Sequence, residues 1–117
     1  MNAAESARIV ACKEGPCMAC EVLRGLGRTI HSGDGCDYHH LLSGGRRRGH
    51  RYGIALCGWH HRGVPDWGCT APEMRVAFGP SLMDGSRLFH AAYGSDDELL
   101  ARQDALIGWK EPEVANG

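Results

Sequence analysis

The sequence predicts a small α+β domain in which a β-hairpin and helix are stapled by a Cys/His knuckle and followed by C-terminal helices. Three observations carry this expectation. A chain of 117 residues suits one domain, and so short a domain buries a limited apolar core that an added staple would reinforce. Two closely spaced pairs, Cys17-x-x-Cys20 and Cys57-x-x-His60, are available to form that staple. Around them, strand-like runs give way to helical patterns with recognisable start and stop signals.

Taken in order, Glu5 to Lys13 reads as a short helix leading into the knuckle, stopped by Gly15, Pro16 and Cys17. Gly25 to Gly35 holds four glycines and is expected to be a loop. Cys36 to Leu42 has strand character, and Ser43, Gly44 and Gly45 open a polar, arginine-rich turn. Tyr52 to Leu56 is the returning strand of a hairpin with a long irregular loop. A helix from about Cys57 to Arg62 should follow, broken by Gly63 and Pro65. From Pro65 to Gly85 the expectation is irregular chain. Ser86 to Tyr93 then suggests a two-turn helix with Leu88, Phe89 and Tyr93 facing the core, stopped by Gly94. Ser95 and Glu98 form a capping box for a last helix, with Asp96 and Asp97 at its positive end and Leu99, Leu100, Ala105, Leu106 and Ile107 as its apolar face. The expected organisation is one domain over residues 1–110, with a core at about 15–63, a helical part at about 86–108, and a disordered tail at 111–117.

Cysteine usage bears on compartment. Six cysteines, at 12, 17, 20, 36, 57 and 69, would allow three disulfides in an exported protein. However, Met1 to Gly15 carries Glu5, Arg8, Lys13 and Glu14 around a short apolar patch, unlike a signal-peptide core. No apolar run approaches the roughly 18 residues of a membrane span. The expectation is a reducing cytoplasm, where clustered Cys and His bind metal more often than they form disulfides. The net charge of −1 conceals a division. Glu21 to Arg62 carries seven arginines against Glu21, Asp34 and Asp37, whereas the chain from Gly63 onward carries four basic residues against nine acids. The basic part is also the Cys/His part. Arg46, Arg47, Arg48, Arg51 and Arg62 suit phosphate, because guanidinium forks pair with its oxygens at two points.

The two short pairs together supply four soft ligands, Cys17, Cys20, Cys57 and His60, which would complete a closed tetrahedral zinc shell of Cys3His type. Two doublets, His39-His40 and His60-His61, remain to be divided between structure and chemistry. Neighbours on a strand point to opposite faces, so His39 and His40 need not share a task. On a helix, Cys57 and His60 lie one turn apart while His61 is swung about 100° away and is free for a second ion. Cys57 with His61, leaving His60 for the second ion, is the competing assignment.

The order Cys-x-x-Cys, His-His at a strand end, then Leu-Cys-x-x-His-His on a helix resembles the HNH (His-Me finger) nucleases, whose active site is a ββα-metal hairpin and helix. More narrowly, His39-His40-Leu41-Leu42-Ser43-Gly44-Gly45 and Leu56-Cys57-Gly58-Trp59-His60-His61-Arg62-Gly63 look like the phage recombination-enhancement (Ref-type) family of RecA-dependent nucleases. Gly79-Pro80-Ser81, Phe89, Tyr93-Gly94-Ser95 and Glu98-Leu99-Leu100 are also similar to it. The resemblance spans roughly Cys17 to Ile107 and implies a zinc-stabilised DNA endonuclease of phage or prophage, acting in a bacterial host cell. It makes Cys17, Cys20, Cys57 and His60 the structural zinc set, His39 and His61 ligands of a catalytic ion, and His40 the general base. In one departure, the middle Asn of the HNH name is replaced by Tyr52, with His50 close by. Those two are the candidates for the middle position. Cys12, Cys36, Cys69, His31 and His90 are expected in structural or solvent roles.

The reaction implied is phosphodiester hydrolysis by in-line attack of water, leaving 5′-phosphate and 3′-hydroxyl ends. A histidine serves as base because its ordinary pKa of about 6.5 keeps it largely neutral at pH 7. The catalytic ion would be Mg²⁺ or Mn²⁺, with Zn²⁺ or Ni²⁺ as better partners for imidazole. The implied partners are DNA, single-stranded or in recombination intermediates, and a RecA filament. The rival reading is a non-catalytic zinc-knuckle module that binds nucleic acid. It accounts for the zinc set and the arginines but leaves His39, His40 and His61 idle. A zinc deaminase is excluded because no Glu follows a plausible ligand His at the required spacing.

Overall fold

The computed structural model describes residues 1–31 and 35–110. The expected tail, and part of the expected glycine loop, lie outside them. Among the described residues, six α-helices and two short antiparallel ladders make a small α+β structure whose buried core runs from Cys17 to Leu99. Among the described residues no helix is long and apolar enough to cross a membrane.

Helix α1 (Ala3–Glu14) starts where Asn2 and Glu5 exchange side-chain and backbone hydrogen bonds in a capping box. It buries Arg8 and Cys12. A helix unforeseen in the sequence, α2 (Met18–Gly25), follows directly. Cys17 is its N-cap and Cys20 lies in its first turn, so the knuckle is the start of a helix that also buries Met18, Ala19 and Leu23.

Strand β1 (Asp37–His40) pairs antiparallel with β4 (Gly53–Leu56), setting His39 opposite Ile54 and His40 opposite Gly53. The connection is more regular than expected. Leu42–Ser43 (β2) and Arg46–Arg47 (β3) form a second ladder. Gly44 and Gly45, at φ 59° and 79°, close it with a two-residue turn that needs positive φ at both positions. Two of the arginines assigned to an open turn are therefore strand residues. Gly53 is needed for a different reason, since a Cβ there would collide with the Tyr38 ring.

Cys57 caps helix α3 (Gly58–Arg62) instead of lying within it, and Gly63 ends the helix at φ 67°. The region expected to be irregular contains α4 (Ala71–Phe78), begun by a Thr70 and Glu73 capping box with Pro72 in its first turn, and a 3-10 turn at Leu82–Asp84. Helix α5 (Ser86–Tyr93) buries Phe89 and Tyr93, but Leu88 points outward and is 51% exposed. Helix α6 (Asp96–Ile107) has the foreseen Ser95 and Glu98 cap. Its inner face is Leu99 and Gln103, with Leu100 packed against the core, whereas Ala105 and Leu106 are exposed. Gln103 replaces an apolar residue because it has a backbone group to satisfy: its Oε1 accepts the Ala55 amide at 2.8 Å. Among the described residues that amide's strand, β4, pairs with β1 alone.

Arg8 ties these layers together. Its side chain is fully buried and donates to Tyr38 Oη at 3.2 Å, Asp104 Oδ1 at 2.6 Å and the Gly53 carbonyl at 2.9 Å. One guanidinium thus joins α1, β1, β4 and α6. Arg8→Met should destabilise the domain by about 3–5 kcal/mol in urea unfolding, because it strands a buried carbonyl and a carboxylate together. Asp104→Asn should cost less, since that carboxylate is one-third exposed and the amide still accepts.

Candidate metal centre and nuclease site

Three elements bring four donors to one point. The start of α2 supplies Cys17 and Cys20, the end of the hairpin supplies Cys57, and α3 supplies His60. Their ligand atoms all lie within 4.8 Å of one another, and all four residues are buried. From His60 Nδ1, the sulfurs of Cys57, Cys17 and Cys20 stand at 3.2, 3.6 and 3.6 Å. A tetrahedral ion about 2.0–2.1 Å from nitrogen and about 2.3 Å from sulfur would set those atoms roughly 3.5 Å apart, so the group could hold a metal such as zinc. His60 is prepared for the task. Its Nε2 donates to the Phe78 carbonyl at 2.8 Å, which leaves the lone pair on Nδ1, facing the sulfurs. Tyr93 Oη holds that same carbonyl at 2.9 Å.

The electrostatics of the pocket call for a cation. Burial pushes the Cys17 thiol well up, while hydrogen bonds from Cys17 and Cys20 pull Cys57 far down. A divalent ion would ease that opposition, because metal binding takes its cysteine ligands as thiolates. His31, which the sequence left in a structural or solvent role, closes the pocket. It is 6% exposed, with Nδ1 3.1 Å from Cys57 Sγ and Nε2 3.2 Å from Asp66 Oδ2. Cys12 and Cys36 stand apart from the cluster, and burial raises their thiols to about 11 and about 12. Cys69 is half-buried beside the core.

The second doublet is divided by α3. While His60 turns to the sulfurs, His61 faces β1, where its ring centroid lies 5.1 Å from that of His39. Asp37 Oδ2 accepts from His61 Nδ1 at 2.9 Å and from Arg62 Nε at 2.7 Å. The hydrogen bond from His61, with that from Arg62, holds the Asp37 carboxyl below its ordinary range. Burial draws the His39 imidazole down to about 4, so it is neutral at pH 7 with a lone pair to offer. His39 also lines a cavity of about 430 Å³ with Leu42, Leu82, Ser86, His90 and Asp96. Among the described residues, the Cys3His group is the only one with three or more such donors together. His39 and His61 therefore stand as a pair of neighbouring imidazoles outside that group.

His40 lies across the strand from that pair. Its ring packs edge-on to Tyr38 at 5.2 Å and to His50 at 5.6 Å, and burial, with Arg47 and His50, lowers its pKa. Tyr52 lies under Arg48 and Arg51, whose guanidinium carbons are 5.0 and 5.1 Å from its ring centroid. The arginines are not alike. Arg46 and Arg47 are exposed on β3, Arg48 pairs with Asp97 at 3.0 Å, and Arg62 is engaged by Asp37.

Asp37 is the site residue that sequence reasoning missed. The signal was present, because the period of a strand places residues 37 and 39 on one face. His90 and Asp96, paired at 3.3 Å, were beyond sequence reach, since only the packing of α5 and α6 brings them to the His39 cavity.

After mild chelation, metal analysis should find one retained zinc per chain. That zinc should be lost in Cys57→Ser and kept in His61→Ala. Stripping it with a strong chelator should unfold the domain by circular dichroism, because binding worth about 10–16 kcal/mol is folding free energy in such sites.

No curated protein and no solved structure gives a significant match to the chain. The family model described as recombination enhancement, RecA-dependent nuclease matches residues 1–108. By that match over nearly its whole length, the chain belongs to the recombination-enhancement, RecA-dependent nuclease family.

Proposed function

We propose that residues 1–110 form one zinc-stabilised HNH-type domain, a ββα-metal endonuclease that hydrolyses DNA phosphodiester bonds and is stimulated by RecA-coated single strands. The observation that carries this reading is the His39 and His61 pair, set between the hairpin and α3 and braced by Asp37. The donor set fits a cation that keeps most of its coordination sphere for water and phosphate. His39 is neutral by burial, and ionised Asp37 keeps the proton of His61 on Nδ1, leaving Nε2 as its ligand atom. Held there, Mg²⁺ or Mn²⁺, or the imidazole-preferring Zn²⁺ or Ni²⁺, would supply Lewis-acid stabilisation to the phosphate and the departing 3′ oxygen.

The remaining work falls to the chain. His40 ends β1, so a phosphodiester crossing that strand end meets His39 on one face and His40 on the other. His40, neutral at pH 7, takes the proton of the attacking water. Arg46 and Arg47 on β3 hold backbone phosphates beside the cut, with Arg51 in the turn that follows. Contacts of this kind fix position and carry no sequence information.

Cleavage of single-stranded and plasmid DNA with Mg²⁺ or Mn²⁺ tests the proposal. His40→Ala should lower kcat about 10²- to 10⁴-fold while the zinc and the fold persist. Equal cleavage by wild type and His40→Ala would remove the base assignment. No cleavage by the wild type, with DNA binding intact, would favour the non-catalytic zinc-knuckle module. Activity should fall steeply as salt rises, and Arg46→Ala with Arg47→Ala should flatten that dependence. Addition of recombinase-coated single strands should raise the rate, and an unchanged rate would strike RecA from the proposal and leave the nuclease.

A further inference from the structure

The Nε2 atom of His40 is buried and has no hydrogen-bond partner. Leaving such a group unsatisfied is costly, and native proteins rarely do so without a reason. It also matters for chemistry. A base that takes its proton at Nδ1 must carry hydrogen on Nε2, and that tautomer is fixed by whatever accepts from Nε2.

Three of the neighbouring groups are already engaged or have no acceptor to offer. Tyr38 Oη already accepts from Arg8 Nε at 3.2 Å and donates to the His50 carbonyl at 2.6 Å. Arg47 is a cation with only donors. The Tyr52 ring is covered by two guanidinium groups, and its carbonyl accepts the Leu41 amide at 2.8 Å. His50 is different. Its imidazole meets His40 edge-on at 5.6 Å between centroids, with the planes at 72°. Its exposed side chain rises from a backbone anchored by Tyr38, and through Tyr38 by the buried Arg8. At that separation a small side-chain rotation closes a hydrogen bond between ring nitrogens.

Resting on the reading of His40 as general base, we propose that His50, and not Tyr52, is the positioning residue for His40. Its imidazole accepts from His40 Nε2 and leaves His40 Nδ1 free to take the proton of water. It fills the middle position with a ring nitrogen in place of an amide oxygen.

The test uses the full zinc-loaded chain and two readouts. Ring ¹⁵N NMR without the second metal should show His40 as the Nε2–H tautomer in wild type and as a tautomer mixture in His50→Ala. In DNA cleavage, His50→Ala should lower kcat about 10- to 100-fold with KM nearly unchanged. His50→Asn, which restores an acceptor of similar reach, should recover most of both signals. A wild-type His40 tautomer in His50→Ala, or a His50→Asn variant as impaired as His50→Ala, would overturn the inference about His50 alone. Full activity in His40→Ala would instead overturn the base assignment and this inference with it. Tyr52→Phe should leave the tautomer unchanged, and a shift there would move the role to Tyr52.

Discussion

His60 is the point on which the fold turns. Through Nδ1 it meets three sulfurs drawn from the start of α2 and the end of the hairpin, and through Nε2 it holds the carbonyl that ends α4. Tyr93 of α5 binds that same carbonyl, so one imidazole connects the N-terminal helices, the hairpin and the C-terminal helices. A hydrophobic core of this size is a modest source of stability. With a cation in the cluster, much of the folding free energy is concentrated on four side chains. The same constraint is a requirement on α3. Capped by Cys57 and ended by Gly63, that five-residue helix must hold its rotation closely enough to send His60 inward and His61 toward β1.

The charge division along the chain takes on meaning in three dimensions. The acidic C-terminal part pairs with chosen arginines elsewhere in the chain and leaves others exposed. Asp97 engages Arg48, and Asp104 engages buried Arg8, while Arg46 and Arg47 stay outward on β3. A run of arginines that looks uniform in sequence is therefore sorted by α6 into bracing residues and residues available to a polyanion. Net charge near zero does not argue against a nucleic-acid partner when the charges are segregated in this way.

What could be read from the sequence follows the range of each interaction. The metal-ligand spacings, the hairpin strands and the Ser95 capping box are local patterns, and they were legible. The Thr70 and Glu73 box was equally local, but it stood among Gly, Pro and Trp residues and was absorbed into a loop. Helix α2 is masked in the sequence because Cys-x-x-Cys suggests a knuckle, although a helical first turn presents two such cysteines equally well. Facing errors had a different cause. Leu88 and Leu106 are apolar and point outward, while Gln103 is polar and points inward to a strand amide, a demand that exists only after folding. That His60 and His61 face different ways was legible from helix rotation, whereas the orphan nitrogen of His40 was not, because it depends on the return path of the loop.

That loop path explains why so much buried structure supports a two-stranded ladder. Shifting β1 by one residue against β4 would exchange the faces of His39 and His40, moving one imidazole away from His61 and the other away from His50. Four residue pairs are a weak guard against such a slip. The register is pinned from outside by the Tyr38 ring, which lies over Gly53 where any side chain would collide with it. Arg8 then clamps both strands by binding the Tyr38 hydroxyl and the Gly53 carbonyl together, with Asp104 behind it. A slipped strand would break all of these contacts in the interior at once. The buried arginine thus helps to decide which histidine faces which side of the ladder.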